Sequence, residues 1–358
     1  MNLQHLINDF RIEGEIQEAL PFGSGHINET FRLKNIHSQA PDYLLQKINH
    51  QIFKDVEGMM NNIYLVCEHL KKAFRGASDQ ESLEVMLSKV GKPYVQEENG
   101  AYWRMFDFKS ELVSHDIAET PKQIFEGARS FGIFMRTLSN FPLEKLVDTI
   151  PNFHHVGFRI KNLRLAAQEN RVGRLEGCKG LLEYALSITE RISQIQLAGE
   201  TGKIPLRVTH NDTKFNNVLL TREGKGRCVI DLDTVMPGYV HYDFGDGIRT
   251  TVCTAAEDEA DLENIILEKD RFEAFCAGFL GETRESLDEK EIELLPVSGA
   301  LFAYLMGIRF LTDYLEGDIY YKIHFHGQNL QRARAQLYLC KCILAEEKEL
   351  KRIIHRFT

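Results

Sequence analysis

"RVTHNDTKFNNVLLTREGKGRCVIDLDTVMPG", residues 207–238, decides how the rest of the chain is read. Val208 at one end and Val218-Leu219-Leu220 at the other bracket a stretch without periodicity. That stretch holds His210, Asp212, Lys214 and asparagines at 211, 216 and 217. A polar surface turn would account for it taken alone; the residues that follow narrow the reading. Val218–Leu220 and Arg227–Leu232 are strand-like runs joined by "REGKG", which is hairpin punctuation. A turn centred on Gly224 sets Asn217 directly opposite Asp231, with Cβ atoms about 4.5–5.5 Å apart. One neutral and one anionic oxygen ligand would then sit side by side. Mg²⁺ in phosphate chemistry is held in this manner, with nucleotide phosphates and water completing its shell. Asp233 falls on the same strand face two residues farther out, a weaker ligand.

Asp212 precedes Asn217 by five residues. The spacing His-x-Asp-x-x-x-x-Asn, followed by an Asp after an apolar strand, matches a kinase catalytic loop of base, metal-binding Asn and metal-binding Asp. Asp212 accepts the proton of the attacking hydroxyl in this reading, and His210 braces the loop. "DFG" at 243–245 spells a protein-kinase triplet. It lies too far along the chain, because the metal-binding Asp follows the base by about one hairpin. Asp243 therefore reads as an anchor for the loop.

The bulk composition restricts the alternatives. With 358 residues the chain is long for one core; 43% are hydrophobic and 27% charged, and the net charge is -9. That balance excludes a nucleic-acid binder, which needs a basic footprint, and leaves room for a local basic pocket. The polar N-terminus does not read as a signal peptide. The longest apolar stretch, 300–311, is short of a membrane span and contains Arg309. Seven cysteines without a CxxC pair read as free thiols; their odd number suits a reducing compartment, and a cytoplasmic location is expected.

Strand patterns occupy 16–22, 30–33, 43–48, 84–87 and 102–108. A helix runs from Asp55 to Phe74, with Met59, Met60, Ile63, Val66, Cys67 and Leu70 on one face. Thr120 caps a second helix that has Pro121 in its first position. Further helices are expected near 158–170, 180–197, 264–281, 290–316 and 328–350. The fold class is α+β, with two lobes: residues 1–110 as a small antiparallel-sheet nucleotide lobe with a glycine loop, and 111–358 as a large mainly helical lobe. A cleft between unequal lobes is a common ligand site.

Taken together these segments resemble the aminoglycoside phosphotransferase and choline kinase superfamily, which has a protein-kinase-like two-lobed fold. Within it, "GSGHINETF", "YLLQKIN", "IPLRVTHNDTKFNNVLL", "VIDLDTVMPG", "DFGDGIRT" and "IRFLTDYLEGDIYY" are similar, in order, to signatures of the N-acetylhexosamine 1-kinases. They span residues 23–321. The resemblance implies ATP as phosphoryl donor, Mg²⁺, and transfer to the anomeric hydroxyl of N-acetylglucosamine or N-acetylgalactosamine. Small molecules are the implied partners, with neither nucleic acid nor membrane.

On the nucleotide side, Gly23, Ser24 and Gly25 form a turn whose backbone could approach phosphates. His26 and Asn28 follow, and the resemblance implies that His26 lies near the sugar. In Tyr43-Leu44-Leu45-Gln46-Lys47, Gln46 takes the position where kinase-like lobes carry a basic residue. Lys47 falls one later, on the opposite strand face, and Glu57 on the next helix could pair with whichever basic side chain faces it. Adenine is expected along Trp103 to Phe108, a strand that brings Arg104 and Phe106 to the nucleotide; Trp103 and Phe106 equally fit lobe core. On the acceptor side, Arg309 in an apolar helix needs a partner, either Asp313 one turn away or the substrate. The resemblance favours Arg309 and Tyr320 as sugar contacts, with Tyr321 an alternative and Asp246 and Arg249 weaker candidates. Two other readings stay open: another alcohol as acceptor (aminoglycoside, amino-alcohol or homoserine), for which Asp313, Glu316 and Asp318 could supply carboxylates, and a non-catalytic nucleotide-binding protein.

Overall fold

The structure is a computed structural model and describes residues 3–23, 28–76 and 79–358. Five antiparallel strands form a sheet in the order β1-β2-β3-β5-β4: β1 (Ile16–Pro21), β2 (Glu29–Asn35), β3 (Tyr43–Ile48), β4 (Val95–Gln96) and β5 (Tyr102–Asp107). Alternation sorts the strand residues onto two faces. Leu33, Tyr43, Leu45, Trp103 and Met105 pack on one side with Leu3, Leu6, Ile7 and Phe10 from the N-terminal segment. Gln46 and Arg104 lie opposite each other in the β3–β5 register. The expected strand at 84–87 does not form. β4 already occupies part of that edge of β5, and Val85 makes one bridge to Phe106.

The first long helix, Val56–Ala73, is capped by Asp55, which accepts from the Gly58 N–H at 2.9 Å. Its buried face carries the six residues that the periodicity selects. Asn62 is a buried polar exception. Its Nδ2 donates to Val147 O at 2.8 Å and Val235 O at 3.0 Å, and its Oδ1 accepts from Val147 N. The chain divides into two compact units: residues 1–115, 134–151 and 216–237 in one, and 116–133, 152–215 and 238–358 in the other. Asn62 thus ties both returning segments to the unit that holds the sheet.

The second unit is helical. A helix opens at Pro121 as expected, and others span Val156–Glu169, Lys269–Thr283, Glu289–Glu316 and Gln328–Ala345. The region 180–197 is broken into three short helices. Val240–Thr251 is a helix that the sequence did not suggest, because Gly245 and Gly247 weaken the pattern. Both glycines permit close packing: a Cβ at Gly245 would meet Ser298 O at 2.4 Å, and one at Gly247 the Phe275 ring at 2.3 Å. The Glu289–Glu316 helix matches the one expected at 290–316. An 18-residue stretch of it is apolar enough for a membrane span, but 89% of that stretch is buried inside the fold. It begins at an Asp288–Glu291 capping box and ends at Gly317 with φ +104°. All seven cysteines are free thiols.

Candidate functional site

Asp212 lies in the helical unit, on a loop fixed from its buried side. The Asp243 carboxylate accepts from His210 N at 2.9 Å and Asn211 N at 2.7 Å, and Thr213 Oγ1 donates to Asp243 O at 2.7 Å. Burial pushes the Asp243 pKa up to about 7, against the two amide bonds that lower it. Asn211 takes a left-handed φ of 64°, which a short polar side chain tolerates. His154 donates from Nε2 to Asn211 O at 3.0 Å; burial holds its pKa down at about 3, so the imidazole is neutral. His210 is fully buried, edge-on to Phe131, and its Nδ1 accepts from Asp212 N at 3.3 Å. The Asp212 carboxylate itself remains partly exposed and meets Lys214 Nζ at 2.7 Å. Sequence reading gave Lys214 no role. On the neighbouring helix Asp246 and Arg249 form a buried ion pair at 2.9 Å, and Arg249 also reaches Glu257 at 3.2 Å.

Asn217 and Asp231 lie on the hairpin in the other unit, in a register one residue from the expected one. Val218 pairs with Val229 and Leu219 with Cys228, so Ile230 faces Asn217 and donates its N–H to Asn217 O at 2.9 Å. The turn is the reason. It closes through Thr221 N to Lys225 O around Glu223, with Gly224 at φ +80° in the left-handed closing position. A bulge between Leu219 and Leu220 then shifts the pairing by one. Asp231 is exposed and has φ 59°, and a short 3-10 turn follows it. Strand-face alternation therefore no longer governs its side chain. Asp233 is not an outlying ligand on the strand. It is 4% exposed, and Arg104 grips it with both terminal nitrogens, Nη2 at 3.0 Å from Oδ2; Asn28 Nδ2 donates to the same Oδ2 at 3.0 Å.

Arg104 is thereby occupied. Its Nε donates to Gln46 Oε1 at 2.9 Å, and the Gln46 amide donates in turn to Thr30 Oγ1. Phe106 is buried beneath the Arg104 guanidinium. Lys47 is on the other face, over the Trp103 ring and 3.8 Å from Glu29. Glu57 meets Tyr94 rather than a basic side chain. Gly23 has φ +79° with open space where a Cβ would stand, so its backbone conformation, not crowding, requires glycine. Ser24, Gly25 and His26 lie outside the described residues.

In the helical unit a pocket of about 200 Å³ is lined by Arg159, Asn162, Arg309, Thr312, Asp313, Glu316, Tyr320 and Tyr321. The ion pair considered for Arg309 and Asp313 is absent. Asp313 instead accepts from the N–H groups of Ile319, Tyr320 and Tyr321 at 2.8–2.9 Å and from Asn329 Nδ2 at 2.8 Å. It fixes the turn that presents both tyrosines, and a single acidic residue before a Gly-Asp turn gave no hint of this. Arg309 lies over the rings of Phe153 and Tyr321. Phe153 lies against His154, the rings tilted by 42°, and the partner of His154 is the carbonyl next to Asp212, so packed side chains connect the pocket to the loop. Tyr321 Oη is buried without a partner among the described residues. Asp313→Ala is expected to leave those N–H groups unsatisfied, costing about 1–3 kcal/mol, and to loosen the tyrosines. Thermal unfolding and acceptor KM should both worsen while nucleotide affinity holds; an unchanged KM would separate this turn from acceptor binding.

A five-stranded antiparallel unit followed by a helical unit, with an acidic loop and a metal-type hairpin, is a kinase-like architecture. Residues 18–269 match the phosphotransferase enzyme family, and the chain belongs to that family. The fold is also similar to the amicoumacin kinase hAmiN, at TM-score 0.62 and 13% identity, covering 100% of this chain and 98% of that one. An aminoglycoside phosphotransferase from Alicyclobacillus acidocaldarius gives 0.59 and 12%, covering 98% and 95%. Choline kinase LicA from Streptococcus pneumoniae gives 0.54 and 11%, covering 92% and 94%.

Proposed function

We propose that the protein transfers the γ-phosphoryl group of ATP to the anomeric hydroxyl of an N-acetylhexosamine. The observation that carries this reading is the pocket beside the Asp212 loop. Its lining of arginines, an asparagine, a threonine and tyrosines suits a hydroxyl-rich ring bearing an amide. Of the three acids that would serve a cationic acceptor, two are already committed, Asp313 to backbone N–H groups and Asp318 to Arg174 at 2.5 Å, and Glu316 is left in the pocket lining. Nucleotide use is supported by relatives of this fold, among them hAmiN in complex with AMP-PNP and Ca²⁺ and spectinomycin phosphotransferase in complex with ADP.

Asp212 takes the proton of the attacking hydroxyl, an anomeric hydroxyl being acidic enough for a carboxylate base. Lys214, at 2.7 Å, is the cation paired with that carboxylate. Asp243 and His154 keep the loop backbone in place. Arg309 and Tyr320 orient the sugar. The family resemblance assigns Gly23, Ser24 and Gly25 to the phosphates and His26 to the sugar. Gln46, Lys47, Arg104 and Phe106 belong to β3 and β5 of the sheet assigned to the nucleotide.

Asn217 and Asp231 supply one amide and one carboxylate oxygen, a donor set that fits Mg²⁺. Phosphate oxygens and water would complete its shell. Bound there, the ion would neutralise phosphate charge during transfer. Asp231→Ala and Asn217→Ala are expected to raise the Mg²⁺ concentration needed for half-maximal rate and to lower kcat; full activity at the original concentration would remove them from the mechanism. The acceptor is tested with a coupled assay over sugars, choline, ethanolamine and aminoglycosides. N-acetylglucosamine or N-acetylgalactosamine should be turned over best, with loss of the reducing end. A product that still reduces, or a preference for an amino-alcohol, would overturn this function.

A further inference from the structure

Positive and negative side chains are partnered unequally in the helical unit. Asp212 has Lys214, Asp246 has Arg249, Asp318 has Arg174, and Asp313 is spent on backbone and amide N–H groups. Arg159 and Arg309 have no carboxylate partner among the described residues. Arg159 donates to Phe153 O at 3.2 and 2.8 Å and faces the Phe158 ring; Arg309 has two rings and the Met306 sulfur. Both guanidiniums line the same pocket. The remaining acid there is Glu316, whose pKa burial raises first and Asp313 second. Burial lowers the Arg159 pKa to about 10, and the charge of Arg309 contributes in the same direction. Two like charges therefore share one half-buried wall of the pocket.

Hydroxyl and amide oxygens can accept hydrogen bonds from such a wall, whereas an ammonium meets repulsion that grows as water is excluded. Selectivity achieved by penalising the wrong ligand needs no added contact to the right one. We propose that Arg159, acting with Arg309, is a specificity-determining residue that excludes cationic acceptors from this pocket and admits neutral, oxygen-rich ones. The inference rests on the pocket being the acceptor site, and it holds for any neutral alcohol, sugar or not.

Two pairs of nearly isosteric acceptors read charge alone: glucose against glucosamine at slightly acidic pH, and the uncharged carbon isostere of choline against choline. Affinity is followed by calorimetric titration, which requires no turnover, and kcat/KM by coupled assay. The neutral member of each bound pair should be favoured at least about tenfold. Arg159→Gln should narrow that ratio about tenfold, and Arg159→Lys, which keeps the charge, should preserve it. Thermal unfolding of both variants separates this from loss of the bonds to Phe153 O. Equal ratios in the wild type and Arg159→Gln, no detectable binding of either neutral member, or preference for a cation would overturn the inference. Preference for the uncharged choline isostere with no sugar bound would sink the hexosamine assignment while leaving charge exclusion standing. Good use of N-acetylglucosamine with glucosamine equal to glucose would do the reverse.

Discussion

Asp212→Asn is expected to yield a folded protein that binds ATP–Mg²⁺ and turns over ~10²–10⁴-fold more slowly, the usual loss for a removed general base. The substitution nearly preserves shape. The partner, Lys214, keeps 46% of its side chain exposed, which eases its solvation when the carboxylate is gone. The loop backbone is held by Asp243 and His154, whose hydrogen bonds go to the backbone of His210 and Asn211 and not to the Asp212 carboxylate. Calorimetric nucleotide titration and a kinase assay on one preparation would show the split between binding and turnover. Retention of most of the turnover would reduce residues 207–220 to a polar loop and take the proposed mechanism with it.

The fold was legible where a single periodicity governed a segment. The stripe of Met59, Met60, Ile63, Val66, Cys67 and Leu70 specifies its helix, and alternation in 43–48 and 102–107 specifies both the strands and their faces. Gln46 and Lys47 do fall on opposite faces. Legibility failed where one residue of backbone geometry decides the outcome. A left-handed Gly224 and a bulge move the hairpin register, and a left-handed Asp231 ends the alternation on which the facing pair relied. It failed again where a side chain's partner is remote in sequence. Asp313 was weighed against Arg309, one turn away, but its partners lie six to eight residues on and at Asn329. Arg159 sits in an ordinary charged helix, and only the folded chain brings it to the pocket.

The pairing of Arg104 with Asp233 spans 129 residues and reverses an expectation about Asp233. As an outlying strand residue, Asp233→Ala would be milder than Asp231→Ala. With Arg104 only 2% exposed, its removal instead leaves a buried guanidinium without its counter-charge. Breaking such a pair from one side costs about 3–5 kcal/mol, a large part of the stability of an ordinary domain. Asp233→Ala is therefore expected to melt early and express poorly, whereas Asp231→Ala, at an exposed position, should melt near the wild type. Arg104→Met/Asp233→Leu replaces both charges with apolar volume and should recover most of the lost stability, since an isosteric apolar pair is often neutral or better. It does not restore the acceptor that Asn28 uses, nor the tether from β3 and β5 to the turn that follows Asp231. Stability should thus return in the double variant while the Mg²⁺ requirement stays elevated. A double-mutant cycle on unfolding free energy, measured beside metal-dependent rates, separates the two contributions. Wild-type metal dependence in the stable double variant would make the pair a device of folding alone; a single Asp233→Ala that melts normally would show that the buried arginine is satisfied by other means.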